Sequence, residues 1–396
     1  MSKKKSAPRK DGLFSSQIYI GMGEDGKRKY KTVYGKTYKE AQTKANTIKT
    51  SMHKGLDIAA ERDTFYTWSQ RWLKVKSSEI SAGRLVVYNS HVKHLTQHLE
   101  LIPMAKIRPA DIQEIITDLS TVNPNTGRPM ARKTLNELKG TAAQIFQFAI
   151  DNRVIDFNPA SSVRIPRGQE SQSRRALSGT EQAWVLDTPH RAQRAAMIMM
   201  YSGLRRGELI PLLWSDINTD LQTISVSKTV EKIDGSFHIK DTAKTKAGIR
   251  VVRIPQQLVD FLSAEPREGD YVCFSAKGGM HTPSSWSRMW KSYLADLNIK
   301  YGDFSDYIKQ PRSKFDPDGV PYVIPNITPH WLRHTFATML YLAGVDALTA
   351  KDQMGHADIK TTLDIYTHLD RIYTHKSMSK LDDFLKSASK MQVKNS

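Results

Sequence analysis

The chain has 396 residues, one cysteine and a formal net charge of +19, with a pI near 9.7. That length supports two or three domains, the basic balance points to a polyanionic partner, and a lone Cys273 excludes an internal disulfide and fits a reducing cytoplasm. No apolar run approaches the ~20 residues of a membrane span, and the basic N-terminus lacks the hydrophobic stretch of a signal peptide.

Residues 1–57 hold 14 Lys/Arg against 5 Asp/Glu, so about half of the net charge lies in the first seventh of the chain. LFSSQIYI and KRKYKTVY read as two strands, joined at GMGEDGK by a hairpin signal. YKEAQTKANTIKTSMHK then reads as a helix with Ala41, Ala45 and Ile48 on one face. Lys27, Arg28, Lys29 and Lys31 on the second strand are the candidates for contact with a polyanion.

Residues 62–160 are expected to be mostly helical. DTFYTWSQRWLKVK begins with a cap and carries Phe65, Trp68 and Trp72 at core spacing. GRLVVYNSHVKHLTQHL follows, then PADIQEIITDLS with Pro109 at N1, then ARKTLNELKGTAAQIFQFAIDNRVI. Short loops between these helices imply a compact bundle. Lys93, Lys106, Arg132, Lys133 and Lys139 lie on its polar faces, where a solvated surface and a phosphate track read alike. Residues 161–176, SSVRIPRGQESQSRRA, are the clearest linker, Ser-rich and basic.

From residue 177, Ser178 caps a helix at GTEQAWVLDT. AAMIMMYSGLRRGELIPLLWSDI is an apolar helix ending at Ser202-Gly203, with Arg205 opening the next element and Glu208 three residues on, able to orient it. LQTISVSKTV, SFHIKDT and GIRVVRIP are expected to form one small antiparallel sheet, with Lys246 near the tip of the turn entering its last strand. Cys273 lies in YVCFSA, a strand-like apolar run, as inert core. Helices follow at PQQLVDFLSAE and SSWSRMWKSYLADLN, and residues 300–326 are a long loop to which no function attaches.

TPHWLRHTFATMLYLAGVDALTAKDQMGHADIKTTLDIYTH, residues 328–368, carries the chemistry. Thr328-Pro329 is a helix start with a hydroxyl cap and proline at N1. His330 and Arg333 share a face of its first turns, and Gly344 is its C-cap candidate. A second start follows at Met354-Gly355-His356 with Asp358 as a cap, and the helix from about Ile359 carries Tyr366. Arginine forks and imidazoles at helix termini suit a phosphate. A free tyrosine hydroxyl, with a pKa near ~10, is a poor nucleophile. Beside cationic donors it attacks a phosphodiester, holds the phosphate covalently and conserves the bond energy, so no ATP is needed.

In that order, GLRRGEL, the TKAGIR hairpin, HWLRHTFA and MGHADIKTTLDIY resemble the catalytic boxes of tyrosine recombinases of the phage integrase family. The resemblance implies a multidomain chain, mainly α with small antiparallel β-sheets. Residues 1–57 would be an arm-type DNA-binding domain, a β-sheet plus one helix. Residues 62–160 would be a helical core-binding domain, and residues 177–396 a mixed α+β catalytic domain with a C-terminal tail that docks on a neighbouring protomer. It implies that Arg205 and Arg333 hold the scissile phosphate and that Tyr366 attacks in line to form a 3′-phosphotyrosyl link. Lys246 protonates the departing 5′ oxygen, His330 takes the tyrosine proton, His356 bonds the phosphate, and Glu208 supports Arg205. Lys244 competes with Lys246, which lies four residues before Arg250 as in the family's hairpin; the rival nucleophiles are Tyr341, mid-helix in an apolar pattern, and Tyr373, without the GHxxIxTTLxxY context. No metal or other cofactor is implied. The implied partners are double-stranded DNA at core and arm attachment sites, a homotetramer on that DNA, a directionality factor and a host DNA-bending protein. A type IB topoisomerase shares this chemistry, and a non-catalytic DNA-binding protein on the same scaffold is the reading from a different class.

Overall fold

The structure is a computed structural model. It describes residues 8–22, 27–53, 55–56, 62–167, 175–233, 235–241, 249–307, 310–311, 313–317, 319–367 and 369. The chain forms two compact units, Met1–Gln172 and Ser173–Ser396. Its elements are helices with small antiparallel sheets.

In the first unit, β1 (Phe14–Met22) and β2 (Arg28–Gly35) form a two-stranded antiparallel sheet with Ile18 opposite Lys31. Cross-strand partners point to the same side, so Lys31 and the buried Ile18 face α1 (Tyr38–His53), whose Ala41 and Ala45 are also buried. The other side carries Tyr19 and Tyr30, which meet edge to face at 5.8 Å.

Four further helices follow: α2 (Phe65–Ser77), α3 (Ala82–Leu99), α4 (Pro109–Thr121) and α5 (Arg132–Asp151). Thr64 caps α2 by accepting from the Thr67 amide. Phe65, Trp68 and Trp72 are buried, with Phe65 against Phe146 at 5.7 Å and Trp72 against Tyr88 at 5.0 Å between ring centroids. The aromatic stripe is therefore core. The chain leaving α5 is fastened to the bundle by side chains. Gln113 exchanges two hydrogen bonds with the Arg164 backbone (3.0 and 2.8 Å), Asn158 donates to the Ala143 carbonyl at 2.9 Å, and Lys139 donates to the Val163 carbonyl at 2.7 Å.

The second unit opens on α6 (Gly179–Leu186), capped reciprocally by Ser178 and Glu181, and α7 (Gln193–Ser202). Gly203 ends α7 at φ +66°, and the Phe336 ring packs where a Cβ would stand. After the single turn α8 (Arg206–Leu209) the strands divide. β3 (Ile217–Asn218), β4 (Thr223–Val226) and β7 (Arg250–Arg253) form one sheet, and β5 (Lys228–Ile233) and β6 (Ser236–Asp241) form another. The expected single sheet is thus two, because the run 221–230 breaks at Ser227. Its first half buries Ile224 and Val226 beside Val252. The more polar half, with Lys228, Glu231 and Lys232, stays partly solvated and pairs as a hairpin.

Cys273 is buried as expected, and burial pushes its thiol up to about 12. Its run is not a strand: only an isolated bridge from Tyr271 to Leu213 forms there. Helices α9 (Gln256–Ala264) and α10 (Pro283–Tyr301) follow. Asn298 of α10 ties down the irregular segment beyond it, donating to the Pro321 carbonyl at 2.9 Å and accepting from the Val323 amide at 3.0 Å.

Helix α11 (Pro329–Leu342) packs on α7 and starts with the expected Thr328 cap and Pro329 at N1. A short helix, α12 (Ala347–Met354), intervenes before residues 359–367, which are helical. α12 is not expected from the sequence pattern, although Asp346 caps it by accepting from the Leu348 and Thr349 amides at 2.9 Å. Among the described residues, no helix is long and apolar enough to cross a membrane.

Candidate active site

Three arginines from three separate elements meet at the C-terminal end of α12. Each donates to one of three consecutive carbonyls there. Arg250 takes Gln353 at 3.2 Å, Arg333 takes Met354 at 2.5 Å and Arg205 takes Gly355 at 2.8 Å. The last carbonyls of a helix have no intrahelical partner and carry the negative end of its dipole, so they both need and attract cations. Arg333 also donates to the carbonyl of Gly203. The left-handed turn that ends α7 thereby becomes part of the site.

Glu208 is the counter-charge. It is buried, bonds the Arg205 backbone amide at 2.8 Å and the Arg205 guanidinium at 2.9 Å, and is gripped by both ends of Arg250 at 3.0 and 2.9 Å. Burial alone would raise its carboxyl, but the bonds from Arg250 and then Arg205 overcome that and hold it down at about 2. Three guanidiniums face this one carboxylate, and the surplus charge registers on the neighbours. Burial first, then Arg205, pushes Arg333 down to about 9, against the pull of Glu208. His356, buried with its Nδ1 2.8 Å from the Thr362 hydroxyl, is pushed down to about 4 by burial and then by Arg333 and Arg205. An arginine side chain keeps its proton, so the pocket is a cationic seat that an anion would neutralise. Arg205, with its side chain 41% exposed, is its open edge.

His330 lies in the first turn of α11, on its exposed side, one residue before Trp331. Arg175 fastens this end of α11: it bonds Glu181 at 2.6 Å and stacks on the Trp331 ring at 4.6 Å. The backbone amide of Leu177 also donates to the Thr335 hydroxyl at 2.9 Å.

Tyr366 is at the far end of α12 from the arginines. Its hydroxyl donates to the carbonyl of Val345, just before the helix cap, and its ring meets Tyr341 edge to face at 5.2 Å. Eight residues of α-helix span about 12 Å. Half-buried there, the hydroxyl is pushed up to about 12 by burial and then by Asp346. The structure thus brings Arg205, Glu208, Arg333 and His356 together and leaves Tyr366 one short helix away. Lys246, its rival Lys244, Tyr373 and the C-terminal tail lie outside the described residues.

Arg250 joins this cluster, where the sequence pattern marks it only as the residue four after Lys246. Its signal was available. In RVVR the inward positions are Arg250 and Val252, and a cation pointing inward needs a buried acid, which GLRRGEL supplies.

Of the basic residues expected on DNA, Lys27, Arg28, Lys93, Arg132 and Lys133 are exposed. Nothing is described of the Lys29 side chain. Strand alternation separates Arg28, on the Tyr30 side of β2, from Lys31, which lines a cavity of about 440 Å³ with Lys44, Arg62 and Lys106. Lys139 uses one of its donors on Val163. Among the described residues, no cluster of three or more His, Cys, Asp and Glu is arranged to hold a metal ion.

The sequence matches the phage integrase family over residues 180–372 and the phage integrase N-terminal SAM-like domain over residues 64–120. It is 26% identical over 371 residues to a tyrosine recombinase XerC-like protein of Caldanaerobacter subterraneus subsp. tengcongensis, covering 89% of this chain and 91% of that one. It is 29% identical over 288 residues to the ICEBs1 integrase of Bacillus subtilis, covering 70% and 73%. In fold it is similar to the Tn1549 transposon integrase in complex with a circular intermediate DNA, with a TM-score of 0.63 at 18% identity over 80% of this chain and 99% of that one. A lambda integrase dimer bound to a core site gives a TM-score of 0.52 at 17% identity over 91% and 93%.

Proposed function

We infer that this chain, which belongs to the phage integrase family, is a tyrosine site-specific recombinase that cleaves and rejoins DNA to integrate and excise a mobile element. The observation that carries this reading is the convergence of Arg205, Arg333 and His356 at one end of α12 around a single carboxylate. A phosphodiester fits that excess of positive charge. Phosphoryl transfer spreads negative charge over the non-bridging oxygens, and fixed guanidiniums stabilise it without reorganisation.

The roles follow. Arg205 and Arg333 hold the non-bridging oxygens with the donors that their bonds to Glu208, Gly355, Gly203 and Met354 leave over among the described residues. His356 is neutral near pH 7; with the Thr362 hydroxyl donating to Nδ1, its Nε2 carries the proton and donates to the phosphate. Tyr366 attacks phosphorus, the P–O5′ bond breaks and a 3′-phosphotyrosine forms. Lys246 gives the departing 5′ oxygen its proton, and His330 receives the proton of the tyrosine. Glu208 keeps Arg205 in place. Rejoining runs the same steps backwards from a new 5′ hydroxyl, so neither ATP nor a metal is called for.

Residues 1–57 would bind arm sites and residues 62–160 core sites, with the linker at 161–176 and the catalytic domain at 177–396. Lys27, Arg28, Lys29, Lys31, Lys93, Arg132, Lys133 and Lys139 would contact phosphates. The working assembly would be a homotetramer on two duplexes, aided by a directionality factor and a host DNA-bending protein, in the cytoplasm on the bacterial nucleoid.

The test is a duplex with a candidate attachment core, nicked so that the cleaved fragment diffuses away, incubated with protein in EDTA beside Tyr366→Phe. A covalent protein–DNA band that the variant lacks is the expected result. Strand exchange between two duplexes then separates a recombinase from a topoisomerase. DNA binding by both proteins with no band from either would leave a DNA-binding protein, and a band surviving in Tyr366→Phe would move the nucleophile elsewhere.

A further inference from the structure

We propose that Arg250 is a positioning residue of the active site: it holds the Glu208 carboxylate and the end of α12 so that the Arg205 guanidinium stands ready for the phosphate. The proposal rests on the recombinase reading.

Three contacts of the Arg250 side chain carry it. Both oxygens of Glu208 are taken by its two terminal nitrogens at 3.0 and 2.9 Å, in the paired fork geometry that fixes a carboxylate in its own plane. The third nitrogen, Nε, donates to the Gln353 carbonyl. The pair is deeply buried, with 8% of the Arg250 side chain and 5% of the Glu208 side chain exposed. Arg205 bonds the same carboxylate and the next carbonyl but one, yet its side chain is 41% exposed. One carboxylate therefore serves two arginines unequally. Arg250 saturates it from the inside, and Arg205 leans on it from the solvent side with donors left over.

The backbone is built to admit this fork. Gly355 is left-handed at φ +61°, and a Cβ there would stand 2.7 Å from Arg250 Cζ. The Arg253 amide, three residues along β7, also accepts no freedom: it donates to the Gln353 side chain at 2.9 Å, so strand and helix end are fastened twice.

Without Arg250, Glu208 would be a buried carboxylate with one partner. It would draw Arg205 into a two-pronged pair and away from the phosphate. Misplacing a group that holds the reacting centre by about 1 Å costs on the order of 100-fold in rate. That loss falls on cleavage of bound DNA and not on DNA affinity, which is spread over many phosphates.

The experiment compares full-length wild type with Arg250→Met and Arg250→Lys. It measures covalent cleavage on the nicked duplex under saturating protein, the DNA dissociation constant, and the order of the Arg205 Nε–H by ¹⁵N relaxation, with Arg205→Lys used to assign that signal. For Arg250→Met we expect cleavage about 100-fold slower, a dissociation constant within about threefold of wild type, and a changed Arg205 signal. Arg250→Lys, which keeps the charge and loses the fork, should be intermediate in rate and remain folded. An unchanged Arg205 signal, or a changed signal with undiminished cleavage by both variants, overturns the proposal while leaving the recombinase reading standing. A wild-type protein that binds the duplex and forms no covalent product overturns that reading and the role of Arg250 with it.

Discussion

The Tyr366 hydroxyl donates to the Val345 carbonyl at 3.1 Å, at the end of α12 opposite the carbonyls that collect the arginines. In this position the hydroxyl is spent on the backbone, and its proton is held more tightly than in water. With Tyr366 as the proposed nucleophile, cleavage would require residues 359–367 to move, exchanging the Val345 bond and the Tyr341 ring contact for the arginine seat. An edge-to-face aromatic pair is worth about 0.5–1.5 kcal/mol. Tyr341→Leu should lower the cost of leaving and raise the rate of covalent cleavage by about 2- to 10-fold. Single-turnover cleavage of a nicked duplex measures it; an unchanged or slower rate with normal DNA binding means that the tyrosine's departure does not limit the reaction.

Much of this is legible in the sequence. Apolar spacing with a cap gave α2 and α11 because in those helices local pattern and burial agree. Arg333 and His356 stood out through their positions at helix termini, Arg205 and Glu208 through the GLRRGEL box, and Thr328-Pro329 marked where α11 begins. What escaped had non-local causes. Ser227 divides one strand-like run between two sheets because its two halves meet different partners. RVVR hints that Arg250 points inward, but which acid it meets shows only when β7 is laid against Glu208, 42 residues away in sequence. The resting place of Tyr366 is set by the Val345 carbonyl and the Tyr341 ring, and no residue pattern announces a carbonyl.

His356 and His281 set an acid limit on stability. Both are buried and both are pushed down to about 4, in each case first by burial, then by Arg333 for His356 and by Arg191 for His281. The unfolded chain takes up these protons near pH ~6.5. Between there and pH 4 the unfolded state binds more protons than the folded one, so stability is full above ~6.5 and falls as pH drops through that window. Each histidine contributes on the order of 2–3 kcal/mol. Thermal melts from pH 7.5 to 4.5 should show the decline, and His281→Gln should reduce its slope. NMR titration showing either imidazole protonating near 6.5 would contradict this account.

Thr362 is fully buried and its hydroxyl partners His356 at 2.8 Å. Thr362→Val keeps the shape and removes the partner, leaving a buried ring nitrogen unsatisfied at a cost of about 1–3 kcal/mol. The tautomer of His356 is then no longer set. Cleavage should fall further than a comparable loss of stability elsewhere in the unit explains. Thr362→Ser, which restores the hydroxyl, should recover most of it, and equal defects in Val and Ser variants would assign the loss to packing.

Gly203 and Gly355 differ in what they protect, and alanine at each separates stability from chemistry. Both have left-handed backbone, which costs an alanine about 1–2 kcal/mol. At Gly203 the new methyl also collides with the Phe336 ring, inside the packed junction of α7 and α11. Gly203→Ala should therefore lower the melting temperature sharply, by an amount worth about 3 kcal/mol or more. At Gly355 the collision is with the Arg250 guanidinium, the end of a long side chain. Gly355→Ala should cost less stability but displace the fork from Glu208, so cleavage should fall about as far as in Arg250→Met. A Gly355→Ala protein that cleaves normally would show that the fork tolerates displacement.

The latch on the chain leaving α5 predicts a local effect without a global one. Gln113 imitates a strand, donating to the Arg164 carbonyl and accepting from its amide. Both groups are solvent-exposed, so water replaces the bonds when Gln113 is cut back to alanine, and the net loss of stability is at most about 1 kcal/mol. The Arg164 amide has no second support from a helix or sheet. Hydrogen exchange in Gln113→Ala should accelerate at Arg164 and its neighbours through Arg167 while the amides of α4 and α5 stay protected. The same variant with Lys139→Gln, which also releases the Val163 carbonyl, should open the segment further, because the two holds lie on adjacent residues of one strap. Protection at Arg164 that survives both substitutions would place the strap's stability in the packing of Val163, which is 4% exposed, and not in the hydrogen bonds.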